Sequence, residues 1–293
     1  MNNPALFNRQ HMRRAHMRAA PRIADHNFLI DWNLRALIDR LDDIRRTYPH
    51  ALLLSDRHSD DLVAALRESG KIGTLTVASP VADASNDEVF PFEPDTFDLV
   101  MLPFSLHALN DVPGALIQIR RILKADGLFL AAFPGGETLI ELRQSFMDAE
   151  IECRGGASLR VHPFADKQQA AALMQRAGFS LPVVDSERLT VTYDNAFRLM
   201  QDLRRMGETN ALEARQKHAT GKNLMLRMAQ IYQDRFVEED GRIRATFEML
   251  FMTGWSPHES QQQPLRPGSA QSRLADALGT EEIGTGDIIR SGS

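Results

Sequence analysis

The sequence has 293 residues, of which 43% are hydrophobic and 25% are charged. This composition excludes collagen-like, disulfide-framework and wholly disordered chains, and it indicates a globular protein of one domain with additions. A net charge of -5 argues against a general nucleic-acid binder, which needs a basic excess to engage phosphates. Cys153 is the single cysteine and can form no intramolecular disulfide, which is typical of a reducing compartment. No apolar run of the sequence reaches the roughly 20 residues that a membrane-spanning helix requires.

The N-terminus is basic. Five arginines precede the first acid, Asp25, and they are Arg9, Arg13, Arg14, Arg18 and Arg22. A mitochondrial transit peptide has this acid-poor bias, and so does a basic arm that belongs to the folded protein. From the residues alone both interpretations stay open for the segment 1–48, which we expect to carry the arm and an N-terminal helical segment.

Hydrophobic periodicity predicts helices and strands in alternation. Helices are predicted at 27–47, 60–68, 111–123, 135–152, 165–177, 196–206 and 222–236. Strands are predicted at 51–54, 74–78, 97–103, 127–133, 183–191 and 243–254. Because parallel strands need helical crossovers, this order predicts an α/β fold with a doubly wound, mostly parallel sheet, in which the last two strands form an antiparallel edge. We expect the end of the polar stretch 256–293 to be disordered.

Ligands of an open α/β sheet bind at the carboxyl ends of the central strands. The loop after the first strand reads Ser55-Asp56-Arg57-His58-Ser59-Asp60 and has no glycine. A backbone without side chains is what lets such a loop approach a phosphate or an adenosyl group closely. The loop therefore argues against tight cradling of such a group. Its aspartates either cap the next helix or belong to a pocket altered for another ligand.

Carboxylates and a histidine follow the next two strands. Asp83, Asp87 and Glu88 could accept hydrogen bonds from a base edge or a ribose, or they could be solvated loop acids. His107 could be a general base at neutral pH or a structural histidine. The sequence Leu102-Pro103-Phe104-Ser105 lacks the amide or carboxylate that amino methylation of DNA bases uses before its proline.

A further loop, Gly135-Gly136-Glu137-Thr138, places permissive backbone at a predicted helix start. Free N–H groups there could face a ligand or Glu137, although turn formation alone also explains the glycines. The sequence has no Cys/His cluster with metal-ligand spacing, no Gly-x-Ser-x-Gly elbow and no Gly-Lys-Ser/Thr phosphate loop. We therefore expect no metal site and neither serine-hydrolase nor P-loop chemistry.

Three segments, 90–100, 105–113 and 122–129, resemble the later motifs of class I S-adenosylmethionine-dependent methyltransferases. Within that superfamily the chain looks most like the methyltransferase-fold assembly factors of respiratory complex I and their bacterial relatives, with malonyl carrier-protein methyltransferases more distant. Shorter segments support the narrower resemblance, and they are 7–9, 135–143, 154–156, 162–164, 176–179, 206–210, 254–255, 258–261 and 268–270.

The resemblance implies a Rossmann-like sheet of seven strands in a methyltransferase-like domain at 49–255, with a helical insertion near 195–240. It also makes the basic arm part of the family's own N-terminal segment, and so implies a bacterial, cytoplasmic protein. The implied function is S-adenosylmethionine-dependent methylation of a protein or small molecule. The alternative is a non-methylating assembly or protein-modifying factor for respiratory complex I, with a subunit of that complex as partner, since the family is linked to arginine hydroxylation. A nucleotide-dependent oxidoreductase ranks last, because the glycine-rich dinucleotide loop is missing.

The resemblance also implies site residues. His107 is the candidate catalytic base. The candidate positions for S-adenosylmethionine are Ser55, Asp56, Arg57, Asp87, Glu88 and Pro103. Candidate substrate or family-pattern residues are Gly135, Gly136, Glu137, Arg143, Arg154, His162, Glu208, Asn210, His258 and Glu259. The chain departs from the family where an Asp-x-Gly-x-Gly-x-Gly motif is usual, since the matched residues are Leu53, Ser55, Arg57 and Ser59. The acid that usually holds the ribose falls near Ser79 or Pro80, which carry no carboxylate.

Overall fold

The computed structural model describes residues 5–55, 57–80, 88–262 and 279. Its described part contains one sheet of six strands in the order β2-β1-β3-β4-β6-β5. The strands are β1 Tyr48–Leu54, β2 Ile72–Ala78, β3 Phe97–Pro103, β4 Leu123–Pro134, β5 Ser180–Tyr193 and β6 Ile243–Trp255. Strands β2, β1, β3 and β4 pair in parallel, whereas β6 pairs antiparallel with both β4 and β5. The predicted α/β fold with a mostly parallel sheet is confirmed, with six strands in the described residues where the resemblance implied seven.

Helices cover both faces of this sheet. They are α1 Arg9–Ala19, α2 Phe28–Asp43, α3 Asp60–Glu68, α4 Val112–Ile122, α5 Ile140–Arg154, α6 Lys167–Ala177, α7 Ala196–Arg205 and α8 Lys222–Phe236. Alternate residues of β1 belong to different hydrophobic clusters. Leu53 is in the cluster that contains buried residues of α2, α3, α5, α7 and α8, and Leu52 and Leu54 are in the one that contains buried residues of α4 and α6. This alternation is the period of two that a strand buried on both faces requires.

The structure departs from the predicted boundaries at several element ends, and three of the departures have an identifiable cause. Helix α1 was not predicted, because its exposed arginines mask the apolar positions at which Met12 and Ala15 are buried. Strand β4 begins four residues early, since Leu123 pairs with Phe97 before an irregularity in the ladder. Helix α5 begins at Ile140 rather than at the glycines, because Leu139 adopts a left-handed conformation that starts the helix only afterwards.

A crevice at the carboxyl end of the sheet is set by strand order. Strand β1 lies between β2 and β3. The connection that follows β1 leads to β2 on one side, and the next strand, β3, lies on the other side of β1. Such a switch point opens a crevice between the loops that follow the two central strands, here β1 and β3. This crevice is where the fold positions functional side chains.

By contact clustering the chain divides into two compact units, Met1–His258 and Glu259–Ser293. The sheet and the helices that the structure describes belong to the first unit. In the second, the structure describes residues 259–262 and 279, so the predicted disorder of the tail lies almost entirely outside the described residues. No helix in the described ranges is long and apolar enough to cross a membrane.

Candidate active site

Glu208 is presented by a tight turn at the end of α7. The Glu208 N–H donates to the Leu203 carbonyl at 2.8 Å, and the Gly207 N–H donates to the Arg204 carbonyl at 3.2 Å. Gly207 has a φ of +84°, a left-handed conformation that glycine adopts without steric cost. These are the bonds of a Schellman motif, which closes a helix and fixes the direction of the next residue. The sequence Met206-Gly207-Glu208 therefore positions the carboxylate.

Arg57 reaches Glu208 across the switch-point crevice. The loop after β1 carries Arg57, whose Nη1 lies 2.5 Å from Glu208 Oε1 and donates to the Met206 carbonyl at 3.2 Å. Its Nη2 donates to the carbonyl of Phe104, the residue after β3, at 3.4 Å. The guanidinium carbon lies 5.9 Å from the centroid of the Phe104 ring, within cation–π range. The guanidinium thus connects the loops after β1 and β3 with the turn after α7.

His107 contacts the same carboxylate from the β3 side. Its Nε2 lies 3.4 Å from Glu208 Oε2, and its side chain is 2% exposed. The ring packs edge-to-face on Phe104 at 5.1 Å and tilted against Phe164 at 6.1 Å. Nδ1 of His107 is buried and has no hydrogen-bond partner among the described residues. A buried ring nitrogen left in this state is one that a ligand could satisfy.

Glu208 is ionised in this setting. Burial by itself raises the pKa of the Glu208 carboxyl, because it disfavours the charged form. The positive charge of Arg57 and the hydrogen bond and charge of His107 outweigh burial, with a smaller contribution from His16. The pKa of Glu208 therefore lies well below its ordinary value, and the site holds a carboxylate at neutral pH.

A pocket opens beside this cluster. Its empty space, including the open mouth, is about 540 Å³, and it extends from Glu208 over the end of β4 to the start of α5. Five aromatic or imidazole rings are among the described residues that line it, those of Phe104, His107, His162, Phe164 and Phe247. Aliphatic side chains add to the apolar wall, from Leu29, Leu139, Leu142, Val161 and Leu203. Of the described lining residues, Glu208 carries the one carboxylate. The pocket is thus mostly apolar with one anionic wall, a usual design for an oriented ligand.

Two buried polar groups of the wall differ in whether they are satisfied. Thr209 lines the pocket, and its Oγ1 is buried without a partner in the described part of the chain. His162 is 8% exposed, and its Nε2 accepts a hydrogen bond from the Ala211 N–H at 3.0 Å. Burial outweighs the negative charge of Glu208 and, with a smaller effect of His107, lowers the pKa of His162 to about 4. His162 is therefore neutral at physiological pH and carries its proton on Nδ1.

The pocket wall is held by hydrogen bonds between segments that are distant in sequence. Asn210 Nδ2 donates to the Leu159 carbonyl at 2.8 Å, which ties the turn after α7 to the segment carrying His162. Arg160, another lining residue, donates through Nε to Glu150 of α5 at 2.8 Å. Burial raises the pKa of Glu150, but the hydrogen bonds from Ser158 and Arg160 have the larger, opposite effect, so the pKa lies below its ordinary value.

Comparison with known proteins decides the family. The methyltransferase domain family matches residues 55–131. The arginine-hydroxylase NDUFAF5 of Danio rerio is 39% identical over 81% of this chain and 78% of its own length. Its Homo sapiens counterpart is 39% identical over 80% of this chain and 71% of its own. The chain belongs to the NDUFAF5 family. A malonyl-[acyl-carrier protein] O-methyltransferase of Laribacter hongkongensis is 31% identical over 77% of this chain and 74% of its own length.

Two solved structures that match the chain are named as methyltransferases. Haemonchus contortus phosphoethanolamine N-methyltransferase 2 is 16% identical, with a TM-score of 0.46 over 85% of this chain and 60% of that one. The 1,6-didemethyltoxoflavin-N1-methyltransferase of Burkholderia thailandensis is 12% identical, with a TM-score of 0.42 over 83% of this chain and 85% of that one. The predicted resemblance to methyltransferase-fold complex I assembly factors is confirmed at the level of the family.

The predicted cofactor positions of this NDUFAF5-family protein are distributed around the crevice. Ser55 is buried and continues the ladder by donating its N–H to Ala78 at 2.8 Å. Pro103 is the buried last residue of β3. The carboxylate of Glu88 accepts from the backbone N–H groups of residues 110 and 111, at 2.6 and 2.8 Å, and forms a buried ion pair with Arg9. Asp56 and Asp87 lie outside the described residues.

The predicted substrate and family-pattern residues fall into two groups. His162, Glu208 and Asn210 line the pocket. Of the loop 135–138, Thr138 lines the pocket, and Arg143 holds that loop by donating to the carbonyls of Gly136 and Thr138 at 3.3 Å each. Burial lowers the pKa of Arg143.

The other family-pattern residues are not among those that line the pocket. Glu137 is exposed and pairs with Arg188. Arg154 is exposed and donates to Gln216 at 2.8 Å. His258 is exposed at the end of the first unit, and Glu259 begins the second.

Sequence reasoning missed part of the wall. Phe104, Phe164 and Thr209 contribute to the pocket but were not selected as site residues. A signal existed, because Phe164 and Thr209 stand inside the segments 162–164 and 206–210 that carry the family resemblance. Polar candidates were preferred there, and the apolar neighbours that shape the pocket were passed over.

Proposed function

We propose that this protein modifies an arginine side chain of a partner polypeptide, by hydroxylation, and that the partner is a subunit of a respiratory complex I. The relatives that match four-fifths of the chain carry the name arginine-hydroxylase. The observation that carries the proposal is the ionised carboxylate of Glu208 in the wall of an aromatic-lined pocket. A guanidinium combines a permanent charge with a flat face that stacks on aromatic rings, so it suits such a pocket. A single cysteine fits the cytoplasm as the location of this activity.

The proposed reaction needs co-reactants besides the protein. Hydroxylation inserts one oxygen atom of dioxygen into a C–H bond of the arginine. The second oxygen atom leaves as water, for which an external reductant supplies two electrons and the solvent supplies two protons. This chain's own residues orient the arginine: Glu208 binds its charge and the rings of Phe104 and Phe164 flank it.

The test is mass spectrometry of complex I subunits from cells of the source organism. Cells with the intact gene should contain a subunit arginine heavier by one oxygen atom, and a deletion strain should lack that mass. Complementation with Glu208→Gln should fail to restore it, whereas Glu239→Gln, which changes an exposed acid elsewhere, should restore it fully. An unmodified set of arginines in the intact strain would refute the proposal.

A second candidate function, S-adenosylmethionine-dependent methylation, is favoured by the methyltransferase domain that matches residues 55–131. In this fold the cofactor would lie at the loop after β1. The described residues of that loop have no glycine, and the guanidinium of Arg57 spans the crevice to the Phe104 carbonyl. As arranged, these residues do not fit the cofactor. The same mass spectra distinguish the two candidates, because methylation would add one methyl group to a subunit side chain instead of an oxygen atom.

A further inference from the structure

We propose that Glu208 is the receptor for the guanidinium of the partner's arginine, and that Arg57 is an internal occupant that leaves when the partner side chain binds. This inference rests on the proposed function, because that function supplies the arginine. It adds which residue recognises the arginine and what competes with it.

The groups around Arg57 form an acceptor set of the kind that a guanidinium requires. A guanidinium has five N–H donors in one plane and no acceptor. It meets the Glu208 carboxylate and the carbonyls of Met206 and Phe104, with the Phe104 ring within 5.9 Å. These acceptors come from the ends of β3 and α7, not from the loop that carries Arg57. The set therefore stays assembled when Arg57 moves away.

The receptor and the pocket share residues. Phe104 and Glu208 line the pocket and also contact the Arg57 guanidinium, and His107 lines the pocket and contacts Glu208. A side chain that enters through the pocket thus reaches the same carboxylate as Arg57. His107 Nδ1 and Thr209 Oγ1 are buried, have no hydrogen-bond partner within the described ranges and belong to residues of this wall, which indicates that a polar ligand completes the site.

The loop that carries Arg57 is held at its ends and not only by the guanidinium. The Ser55 N–H bonds to the Ala78 carbonyl at 2.8 Å, and the Ser59 N–H donates to Asp31 Oδ1 at 3.1 Å. Ser59 also caps α3, since its hydroxyl accepts from the Leu62 N–H at 3.4 Å. Rotation of one long side chain consequently exchanges the occupant without moving β1 or α3.

The experiment uses N-propylguanidinium, a soluble mimic of the arginine side chain, on the full-length protein. In Arg57→Ala the receptor is empty, so calorimetry should show the probe binding at least about tenfold more tightly than in the wild type, where Arg57 competes. Adding Glu208→Ala to the same variant should remove that gain. n-Butylammonium is the matched control, and it should bind about tenfold more weakly, because an ammonium lacks the planar fork. Equal binding by Arg57→Ala and the wild type, or unchanged binding after Glu208→Ala, would overturn the inference.

A measurement on the wild type covers the case in which Arg57→Ala does not fold. The NMR signal of the Arg57 side-chain N–H reports its environment, and titration with acetyl-arginine amide should shift that signal toward the position of an exposed arginine. An unchanged Arg57 signal at the highest concentration of the probe would also overturn the inference. Neither binding test requires turnover, so guanidinium binding without a modified subunit would refute the hydroxylation and leave the receptor standing.

Discussion

Replacing Arg57 by methionine tests whether its charge stabilises the buried carboxylate of Glu208. Methionine keeps an unbranched side chain of similar reach but has no charge and no N–H donors. The Glu208 side chain is 17% exposed and that of Arg57 is 10% exposed, so the variant leaves a largely desolvated carboxylate without its main partner. His107, whose Nε2 lies 3.4 Å from Glu208 Oε2, then remains beside the carboxylate.

The size of the effect follows from this burial. Removing one partner of a buried ion pair costs about 3–5 kcal/mol. Because water reaches part of Glu208, we expect a smaller cost, about 2–3 kcal/mol of unfolding free energy. The entropy of unfolding grows with chain length, so for a chain of this size that loss lowers the melting temperature by about 3–5 °C.

The cost of Arg57→Met should depend on pH. In the wild type the folded-state pKa of Glu208 lies below its ordinary value of 4.5, so the stabilisation is present above that value and is lost only as the pH falls through the folded-state pKa. Without Arg57, burial raises the pKa of Glu208 above that of the unfolded chain. The variant therefore gains stability as Glu208 takes up a proton, and the difference from the wild type shrinks towards acid.

The assay is thermal unfolding of both proteins at about pH 8 and at about pH 5. Arg67→Met, on the exposed face of α3, is the matched control and should change the melting temperature by less than about 2 °C. An Arg57→Met variant that melts like this control, or whose deficit grows on acidification, would refute the proposed charge pairing.

Gly135 and Gly136 form a matched pair for chemical denaturation. A Cβ on Gly135 would lie 2.7 Å from Leu250 Cγ, so Gly135→Ala should lower the free energy of unfolding by about 1–3 kcal/mol. A Cβ on Gly136 would meet nothing closer than 3.9 Å, so Gly136→Ala should lower it by less than about 1 kcal/mol. Similar losses of stability in the two variants would contradict the packing. The His162 ring should titrate by NMR at about pH 4. Since this folded-state pKa lies below the ordinary 6.5, the contribution of His162 to protein stability declines as the pH falls from 6.5 to about 4. Titration near 6.5 would contradict the burial of the ring. Calorimetry should detect no binding of S-adenosylmethionine to the wild type at millimolar ligand, and weak binding to Arg57→Gly. Wild-type binding in the micromolar range would show that Arg57 does not exclude the cofactor.

Sequence patterns predict the sheet well because its signal is local. The run Leu52-Leu53-Leu54 is buried on both faces, and the alternation of strands with helices is sufficient to give a doubly wound sheet. Strand ends are less predictable, since Tyr48 joins β1 through pairing with Ile72, a partner that no local pattern identifies. The order of the last two strands also depends on pairing between distant segments, since β5 is the edge strand and β6 lies between β5 and β4.

The candidate site was only partly predictable because it joins residues that are far apart in sequence. Arg57 and Glu208 are separated by 151 positions, and each was selected for a different reason, one as a cofactor position and one as a family-pattern residue. Neither periodicity nor spacing indicates that they pair. Glu88 shows the same limit, because its carboxylate is occupied by backbone N–H groups and by Arg9, which lies 79 positions earlier in the chain.

The N-terminal arm shows why charge counting cannot assign a role to single arginines. Arg13, Arg14, Arg18 and Arg22 are exposed, whereas Arg9 is 8% exposed and donates to the Ala108 carbonyl at 3.2 Å. The two residues before Arg9 contact the opposite side of the site. The ring of Phe7 packs 5.0 Å from that of His162, and the N–H of residue 8 donates to the Ala211 carbonyl at 2.8 Å. Residues 7–9 thus connect the segment that carries His107 to the turn that carries Glu208, so they support two segments that line the pocket.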